Sequence, residues 1–181
     1  MVIGVGKQHK LIIFWDSGDT IVEEITEKRD ANGIVYYAEL HHGCKELLES
    51  LYEEGFTMAL VADGEVDSFQ NIYEQHNLGH VFQTRAISEA LPDRKPAAVM
   101  FQTAFDGLGL TDADKPRVVM IGNNLIRDVV GANRYGITSI FFDWSTRYDK
   151  NPKNEEETPQ YTVHTPEELS VLLHKLDEEI E

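Results

Sequence analysis

Four residues that could carry chemistry follow, or lie between, apolar runs of the chain. Asp16 directly follows the first apolar run, Lys95 lies in a charged stretch near the middle of the chain, and Asn123 and Asp128 follow a later run. Carboxylate and amide oxygens are the hard ligands that Mg²⁺ prefers in proteins. A nearby lysine can neutralise charge that remains at such a site. The pattern therefore predicts a magnesium site that Lys95 adjoins.

Each of these residues also has an ordinary structural interpretation. An isolated aspartate such as Asp16 is usually a turn or helix-capping residue, and Lys95 would by default be a solvated loop lysine. Asn123 fits a simple loop, while Asp128 fits a favourable charge at a helix N-terminus. The choice between the two interpretations depends on the elements that position these residues.

The apolar runs are predicted to be strands that alternate with helices. The predicted strands lie at or within Leu11–Trp15, Phe56–Val61, Val81–Ile87, Arg117–Ile121 and Thr138–Phe142. The predicted helices are Gly43–Glu54, Ser68–Asn77, Ala97–Leu108 and Asp128–Tyr135. This alternation predicts an α/β, Rossmann-like fold with a mainly parallel sheet and helices on both faces. Such sheets bind ligands beyond the carboxyl ends of their strands, where the polar residues are found.

Two further segments complete the predicted architecture. Ile21–Ala38 has β-prone runs on either side of an Asn-Gly pair, which indicates a β-hairpin flap after the first strand. Asp149–Pro159 is polar and proline-containing and is predicted to be a loop, followed by a helix from Pro166 to about Ile180. The acidic end of that helix, 177–179, is interpreted as solvated. We find no internal repeat and expect one domain over residues 1–181.

Composition narrows the classes of protein that the chain can belong to. Its 32 acidic and 16 basic residues leave a formal net charge of −16, which opposes non-specific binding to nucleic acid or to an anionic membrane. The single cysteine, Cys44, excludes an internal disulfide and suits a reducing compartment. No apolar run approaches the roughly 20 residues that span a bilayer. Met1–Lys10 lacks the apolar core of a signal peptide, so we expect a cytoplasmic protein.

The order of the motifs resembles the haloacid dehalogenase superfamily. Phosphatases of that superfamily open with Asp-x-Asp-x-Thr after a strand, as 16–20 does in part, and close with Gly-Asp-x-x-x-x-Asp, as 122–128 does in part. Ser88–Pro96 resembles the family's lysine segment, and Asp128–Ile137 resembles its Asp-x-x-Gly-Ala-x-x-x-Gly helix. The resemblance covers Leu11 to Phe142 and implies the same fold, while the short stretch between Thr20 and Gly43 predicts that there is no large cap domain.

The resemblance also implies roles for the residues at matching positions. Asp16 would attack phosphorus and form an aspartyl-phosphate, with Lys95 and Mg²⁺ stabilising the charge of the transferring group. The Gly18 backbone carbonyl and the Asn123 amide oxygen would join Asp16 as metal ligands. Asp128 would hold a metal-bound water or orient Lys95.

The departures from the family motifs bear on activity. Gly18 stands where phosphatases carry an acid-base aspartate, a role worth roughly 10²–10⁴-fold in rate. Asp19 could substitute for it, although a solvent-facing turn aspartate is the simpler interpretation. Ala62 replaces the family's Ser or Thr, so only backbone amides at Ala62 and Asp63 would bind phosphate there. Asn123 replaces an aspartate, which predicts weaker Mg²⁺ binding.

Three functions remain open from the sequence. The leading one is Mg²⁺-dependent hydrolysis of a phosphate ester, with a preference for good leaving groups because the acid-base residue is missing. A rival is a binding or regulatory protein with a degenerate site, and carbon-halogen hydrolysis is the third. The stretch from Thr20 to Gly43 is too short for a helical cap, so the site should be open. An open site implies a bulky phosphorylated substrate or closure by a second subunit, and Arg147 is a candidate anion contact at its rim.

Overall fold

Strands and helices alternate through the computed structural model, which describes residues 9–181. The strands are β1 Ile12–Trp15, β2 Val22–Arg29, β3 Val35–Leu40, β4 Thr57–Ala62, β5 Thr84–Ile87, β6 Val118–Gly122, β7 Thr138–Phe142 and β8 Tyr161–Val163. The α-helices are α1 Cys44–Glu54, α2 Val66–Gln75, α3 Ala98–Leu108, α4 Val130–Tyr135 and α5 Pro166–Glu179. Most of the segment on which the signal-peptide prediction was based, residues 1–8, lies outside the described part.

Six of the strands form one parallel sheet in the order β5-β4-β1-β6-β7-β8. β1 lies in the middle, and its last residue, Trp15, pairs with Leu60 of β4 and Ile121 of β6. Because neighbouring parallel strands end at the same edge, this register brings the residues after β1, β4 and β6 together. The predicted mainly parallel sheet is confirmed.

The two faces of the sheet are both covered by helices, as predicted. Alternate side chains of β1 point to opposite faces, which follows from the two-residue period of a strand. Ile13 and Trp15 pack in the core formed with α1, α2 and α5, whereas Ile12 and Phe14 pack with α3 and α4. Every residue of β1 is buried. Two apolar layers therefore clamp the strand that carries Asp16.

The predicted flap is a two-stranded antiparallel hairpin of β2 and β3. Its turn is organised by Asp30, whose carboxylate accepts hydrogen bonds from the N–H groups of Asn32 at 2.8 Å and Ile34 at 3.0 Å. Gly33 has a φ of +85°, a conformation that glycine adopts without strain. Within residues 9–181 this hairpin is the only structure between β1 and α1, so that part of the chain has no large cap domain.

Two features were absent from the sequence-based prediction. β8 has only three residues, two of them exposed, and so is too short for an apolar period to reveal it. The helix expected from Asp128 is preceded by one π-helical turn at Leu125–Val129. Such turns are frequent at functional sites. None of the helices in the described region is long and apolar enough to cross a membrane.

The acidic end of α5 is not wholly solvated, which corrects the interpretation made from the sequence. Asp177 is buried, and one of its oxygens accepts hydrogen bonds from the N–H groups of Lys10 at 2.7 Å and Leu11 at 2.9 Å. Its other oxygen lies 2.8 Å from Nδ1 of His9. Burial alone would raise the pKa of Asp177, but the bond from Leu11 and the contact with His9 outweigh it and lower that pKa. Asp177 thus ties α5 to the start of β1.

We expect Asp177→Ala to lower the free energy of unfolding by about 1–3 kcal/mol, because the buried N–H of Leu11 loses its acceptor. Urea unfolding at pH 7 measures this, with the exposed neighbour variant Glu178→Ala as control. Because the folded-state pKa is lowered, this stabilisation is fully present above the unfolded pKa of about 3.9 and is lost as the pH falls through the lower folded-state pKa. A deficit of the variant that persisted unchanged at pH 2.5 would contradict the assignment.

Candidate active site

Asp16 is held at the centre of the sheet edge by its backbone and by both oxygens of its side chain. Its N–H donates to the carbonyl of Ile121 at 2.9 Å, which fixes the residue at the end of β1 beside β6. Oδ2 accepts a hydrogen bond from the hydroxyl of Thr20 at 2.8 Å, and Oδ1 accepts one from Nζ of Lys95 at 2.6 Å. The carboxylate is therefore oriented before any ligand binds.

The ammonium group of Lys95 joins two buried carboxylates. Its Nζ lies 2.6 Å from Oδ1 of Asp16 and 2.7 Å from Oδ1 of Asp128, and its side chain is only 1% exposed. Burial alone would lower the pKa of Lys95, but the charges of Asp128 and Asp16 outweigh burial and raise it. Lys95 is consequently charged at neutral pH.

The side chain of Asp128 lies so close to the backbone of residue 122 that only glycine fits at that position. A Cβ on Gly122 would lie 2.2 Å from Oδ2 of Asp128, far inside van der Waals contact. That same oxygen accepts the N–H of Asn124 at 3.0 Å. Burial and the nearby charge of Asp16 raise the pKa of Asp128, against the pull of Lys95. Both oxygens of Asp128 thus already have partners, one of them Lys95.

The π-helical turn positions the residues between Gly122 and Asp128. The side chain of Asn124 caps it by accepting the N–H groups of Ile126 at 3.1 Å and Arg127 at 3.0 Å. Asn123 is buried, and its Nδ2 has no hydrogen-bond partner among the described residues. The nitrogen and oxygen of a side-chain amide can be exchanged by flipping the group, so Asn123 can present its oxygen to a cation.

The oxygen atoms around Asp16 fit a hard cation. No hydrogen bond within residues 9–181 uses the carbonyl of Gly18, whereas the carbonyl of Ser17 accepts three backbone N–H groups. The available donors are then the Asp16 carboxylate, the Gly18 carbonyl and the Asn123 amide, all of the type that Mg²⁺ takes. The described residues contain no group of three or more His, Cys, Asp or Glu side chains suited to a metal. A cation bound at this site would therefore need the neutral oxygens of Gly18 and Asn123 as ligands beside the Asp16 carboxylate.

Ala62 and Asp63 lie beside this centre at the end of β4. Ala62 is buried within the strand, so it adds no polar side chain. Oδ1 of Asp63 accepts the backbone N–H of Lys95 at 3.0 Å, and its Oδ2 lies 3.6 Å from Nη1 of Arg127. Asp63 therefore holds the Lys95 segment against β4. Its part in binding a substrate, like that of Ala62, stays a prediction.

The sequence-based prediction gave no individual role to Thr20 or Arg127, and it placed Tyr148 only within a segment, 144–148, that could line the rim of the site. Thr20 orients Asp16, and its place in the family motif was the available signal. Arg127 donates to the hydroxyl of Tyr148 at 2.7 Å. Both line a cavity of about 240 Å³ beside Ser17 and Gly18. The position of Tyr148 after β7, the last core strand, was the available signal for its place in this lining.

Asp19 and Arg147 differ from their predicted settings. Asp19 is buried instead of facing solvent, with a φ of 50°, and its Oδ1 accepts the N–H of Glu24 at 3.1 Å. Arg147 forms ion pairs with Asp19 and Glu24, so its charge is already matched by protein carboxylates. Trp144 donates from its ring N–H to the carbonyl of Thr20 at 3.1 Å. The segment after β7 therefore braces the turn that follows Asp16.

Residues 11–142 match the family model described as haloacid dehalogenase-like hydrolase. A glyceraldehyde 3-phosphate phosphatase of Methanopyrus kandleri is 28% identical over 130 residues, covering 71% of this chain and 54% of the relative. A ribulose-1,5-bisphosphate 5-phosphatase of Halopiger xanaduensis is 29% identical over 133 residues, with the same two coverages. The chain spans about half the length of these curated relatives.

A solved structure shows the same fold. The HAD-hydrolase YfnB from Bacillus subtilis, in a form bound to magnesium, aligns with a TM-score of 0.73 and 17% identity. The alignment covers 92% of this chain and 99% of that one. Together with the family match, the strand order and the placement of Asp16, Lys95 and Asp128 at one sheet edge lead to a single assignment. The chain belongs to the haloacid dehalogenase-like hydrolase family.

Proposed function

We propose that this protein is a Mg²⁺-dependent phosphohydrolase that forms an aspartyl-phosphate on Asp16. The observation that carries the proposal is the buried bridge from Lys95 to Asp16 and Asp128, because it places a fixed positive charge against the candidate nucleophile. The phosphatase names of the sequence relatives support the reaction class. The substrate that follows from them is a small phosphorylated compound.

The first chemical step uses one oxygen of Asp16 as the nucleophile. That oxygen forms a bond to phosphorus while the bond from phosphorus to the leaving oxygen breaks, and the departing group keeps the electron pair. Thr20 and Lys95 hold the carboxylate in a defined orientation, which lowers the cost of reaching the reactive geometry. Lys95 keeps its proton and stabilises the negative charge of the transferring phosphoryl oxygens.

Asp16, the Gly18 carbonyl and Asn123 are the proposed ligands of Mg²⁺. When bound, the ion would neutralise charge on the phosphoryl group and allow two anions to approach each other. Asp128, the fourth residue predicted at the metal, has contacts that better support a role in holding Lys95. Its place at the metal through a water molecule remains part of the proposal. Because Asn123 is neutral, we expect weak Mg²⁺ affinity.

The site has no large cap above it in the described part of the chain, which bears on the size of its substrate. The flap and the loop after β7 stand in place of a cap, so a second copy of this chain would close the site over a small substrate, or the open site would take a bulky phosphorylated one. We also propose a cytoplasmic location, which rests on the reduced state expected of the lone, buried Cys44. The binding-protein alternative is favoured by one observation, the loss of polar side chains at Gly18 and Ala62.

We expect Asp16→Asn to reduce the turnover of 4-nitrophenyl phosphate by several orders of magnitude, because the amide cannot act as the nucleophile. Steady-state assays with and without Mg²⁺ measure this change. The matched control is Asp67→Asn, an exposed aspartate of α2 that should keep full activity. If the native chain hydrolysed no phosphate ester of a broad panel in Mg²⁺, the binding-protein alternative would replace the proposal.

Mg²⁺ binding gives a test that does not depend on turnover. We expect Asp16→Ala to weaken Mg²⁺ binding at least about tenfold, or about 1.4 kcal/mol, because a charged ligand is removed. Asn123→Asp should instead strengthen binding, because it adds a carboxylate to the same donor set. Isothermal titration calorimetry measures both, with Asp67→Ala as control. Equal affinities in the native chain and Asp16→Ala would remove Asp16 from the ligand set.

A further inference from the structure

The space that a side chain at position 18 would occupy is filled by a carboxylate from the flap. A Cβ built on Gly18 would lie 1.8 Å from Oε1 of Glu24 and 2.7 Å from its Cδ. Gly18 itself is outside the left-handed region of backbone conformation, so the position would otherwise accept a side chain. Glu24 therefore occupies the space beside position 18 where the family motif has an aspartate side chain.

The backbone between Gly18 and Glu24 holds this arrangement in place. Gly18 forms a β-bridge with Val22, and the N–H of Asp19 donates to the Val22 carbonyl at 2.7 Å. The carboxylate of Asp19 then accepts the N–H of Glu24 at 3.1 Å. This role also removes Asp19 as a substitute base, because its oxygens support the flap and pair with Arg147.

The two oxygens of Glu24 have different surroundings. Oε2 is paired with Nη1 of Arg147, whereas Oε1 faces Gly18. The Glu24 side chain is 25% exposed and lines the cavity of about 240 Å³ together with Ser17 and Gly18. Water can therefore reach a carboxylate that faces Gly18, the second residue after Asp16.

We propose that Glu24 is the general base for the second half of the reaction, in which water hydrolyses the aspartyl-phosphate. Oε1 takes a proton from the water, the water oxygen forms a bond to phosphorus, and the bond from phosphorus to Asp16 breaks. The products are inorganic phosphate, a free Asp16 carboxylate and protonated Glu24, which returns its proton to solvent. This inference rests on the phosphatase function proposed above and adds to it the residue that ends each cycle.

The first half of the reaction does not need Glu24 when the leaving group departs as a stable anion. A 4-nitrophenyl ester meets that condition, so phosphorylation and dephosphorylation of Asp16 can be measured separately. Rapid-quench mixing gives the burst of 4-nitrophenolate, and radiolabelled phosphate released from the protein by hydroxylamine counts the aspartyl-phosphate. The chain is used at full length with Mg²⁺ present.

We expect Glu24→Gln to keep the burst while the decay of its phosphoenzyme slows by roughly 10²–10⁴-fold, the usual worth of a general base. The control is Glu23→Gln, which makes the same change of charge on the same strand. The Glu23 carboxylate is directed elsewhere, 3.9 Å from Nδ1 of His41, so its decay rate should match that of the native chain. Thermal melts of both variants confirm that each is folded.

A second variant moves the carboxylate back to position 18. Gly18→Asp alone meets the Glu24 side chain, whereas the double variant Gly18→Asp with Glu24→Ala has the space cleared. We expect the double variant to recover fast phosphoenzyme decay that Glu24→Ala lacks. Such recovery would show that a carboxylate in that space, and not the ion pair with Arg147, is what dephosphorylation requires.

The outcomes separate this inference from the function on which it rests. An unchanged rate of phosphoenzyme decay in Glu24→Gln would overturn the role of Glu24 and leave the phosphatase function standing. Equal slowing in Glu23→Gln would also overturn it, because a general charge effect would then explain the result. Absence of steady-state turnover in the native chain, together with absence of any burst and any phosphoenzyme in Glu24→Gln, would overturn the phosphatase function and this role together.

Discussion

The rest of the site depends on the two ion pairs that the ammonium group of Lys95 forms. This ammonium group lies between the carboxylates of Asp16 and Asp128, two acidic groups that would repel each other at the same buried sheet edge. Removing one partner from a buried ion pair typically costs about 3–5 kcal/mol, because a charge is left without compensation. The same ammonium that makes the site possible is also the charge that an incoming phosphate group would meet.

Contacts with surrounding residues hold Lys95, Asp16 and Asp128 in position. Asp63 holds the backbone of Lys95, Thr20 orients Asp16, and Gly122 leaves the space that Asp128 fills. The contact of Asp63 joins the end of β4 to the segment that carries Lys95, whereas the other two lie within the turns that follow β1 and β6. The central position of β1 in the parallel sheet is what brings those segments within hydrogen-bond distance of each other.

The flap contributes the carboxylate of Glu24 to the surroundings of the turn that follows Asp16. Its first strand starts directly after the turn that follows Asp16, and Glu24 projects back to the glycine of that turn. Its carboxylate occupies space that a side chain at that motif position would otherwise fill. A side chain that is missing from a motif position, as at Gly18, can therefore have a counterpart that lies nearby in space and is contributed by another part of the chain.

The sequence by itself determined the sheet-and-helix alternation and the placement of Asp16, Lys95, Asn123 and Asp128 after strands, because apolar period and motif order are local properties. It also indicated the flap through the Asn-Gly turn. Only the tertiary structure decided that Asp177 is buried and that Glu24 fills the space beside Gly18. Arg147 and its partner Glu24 are 123 residues apart along the chain. Contacts of that kind follow from how the strand ends and loops pack together, which no local pattern encodes.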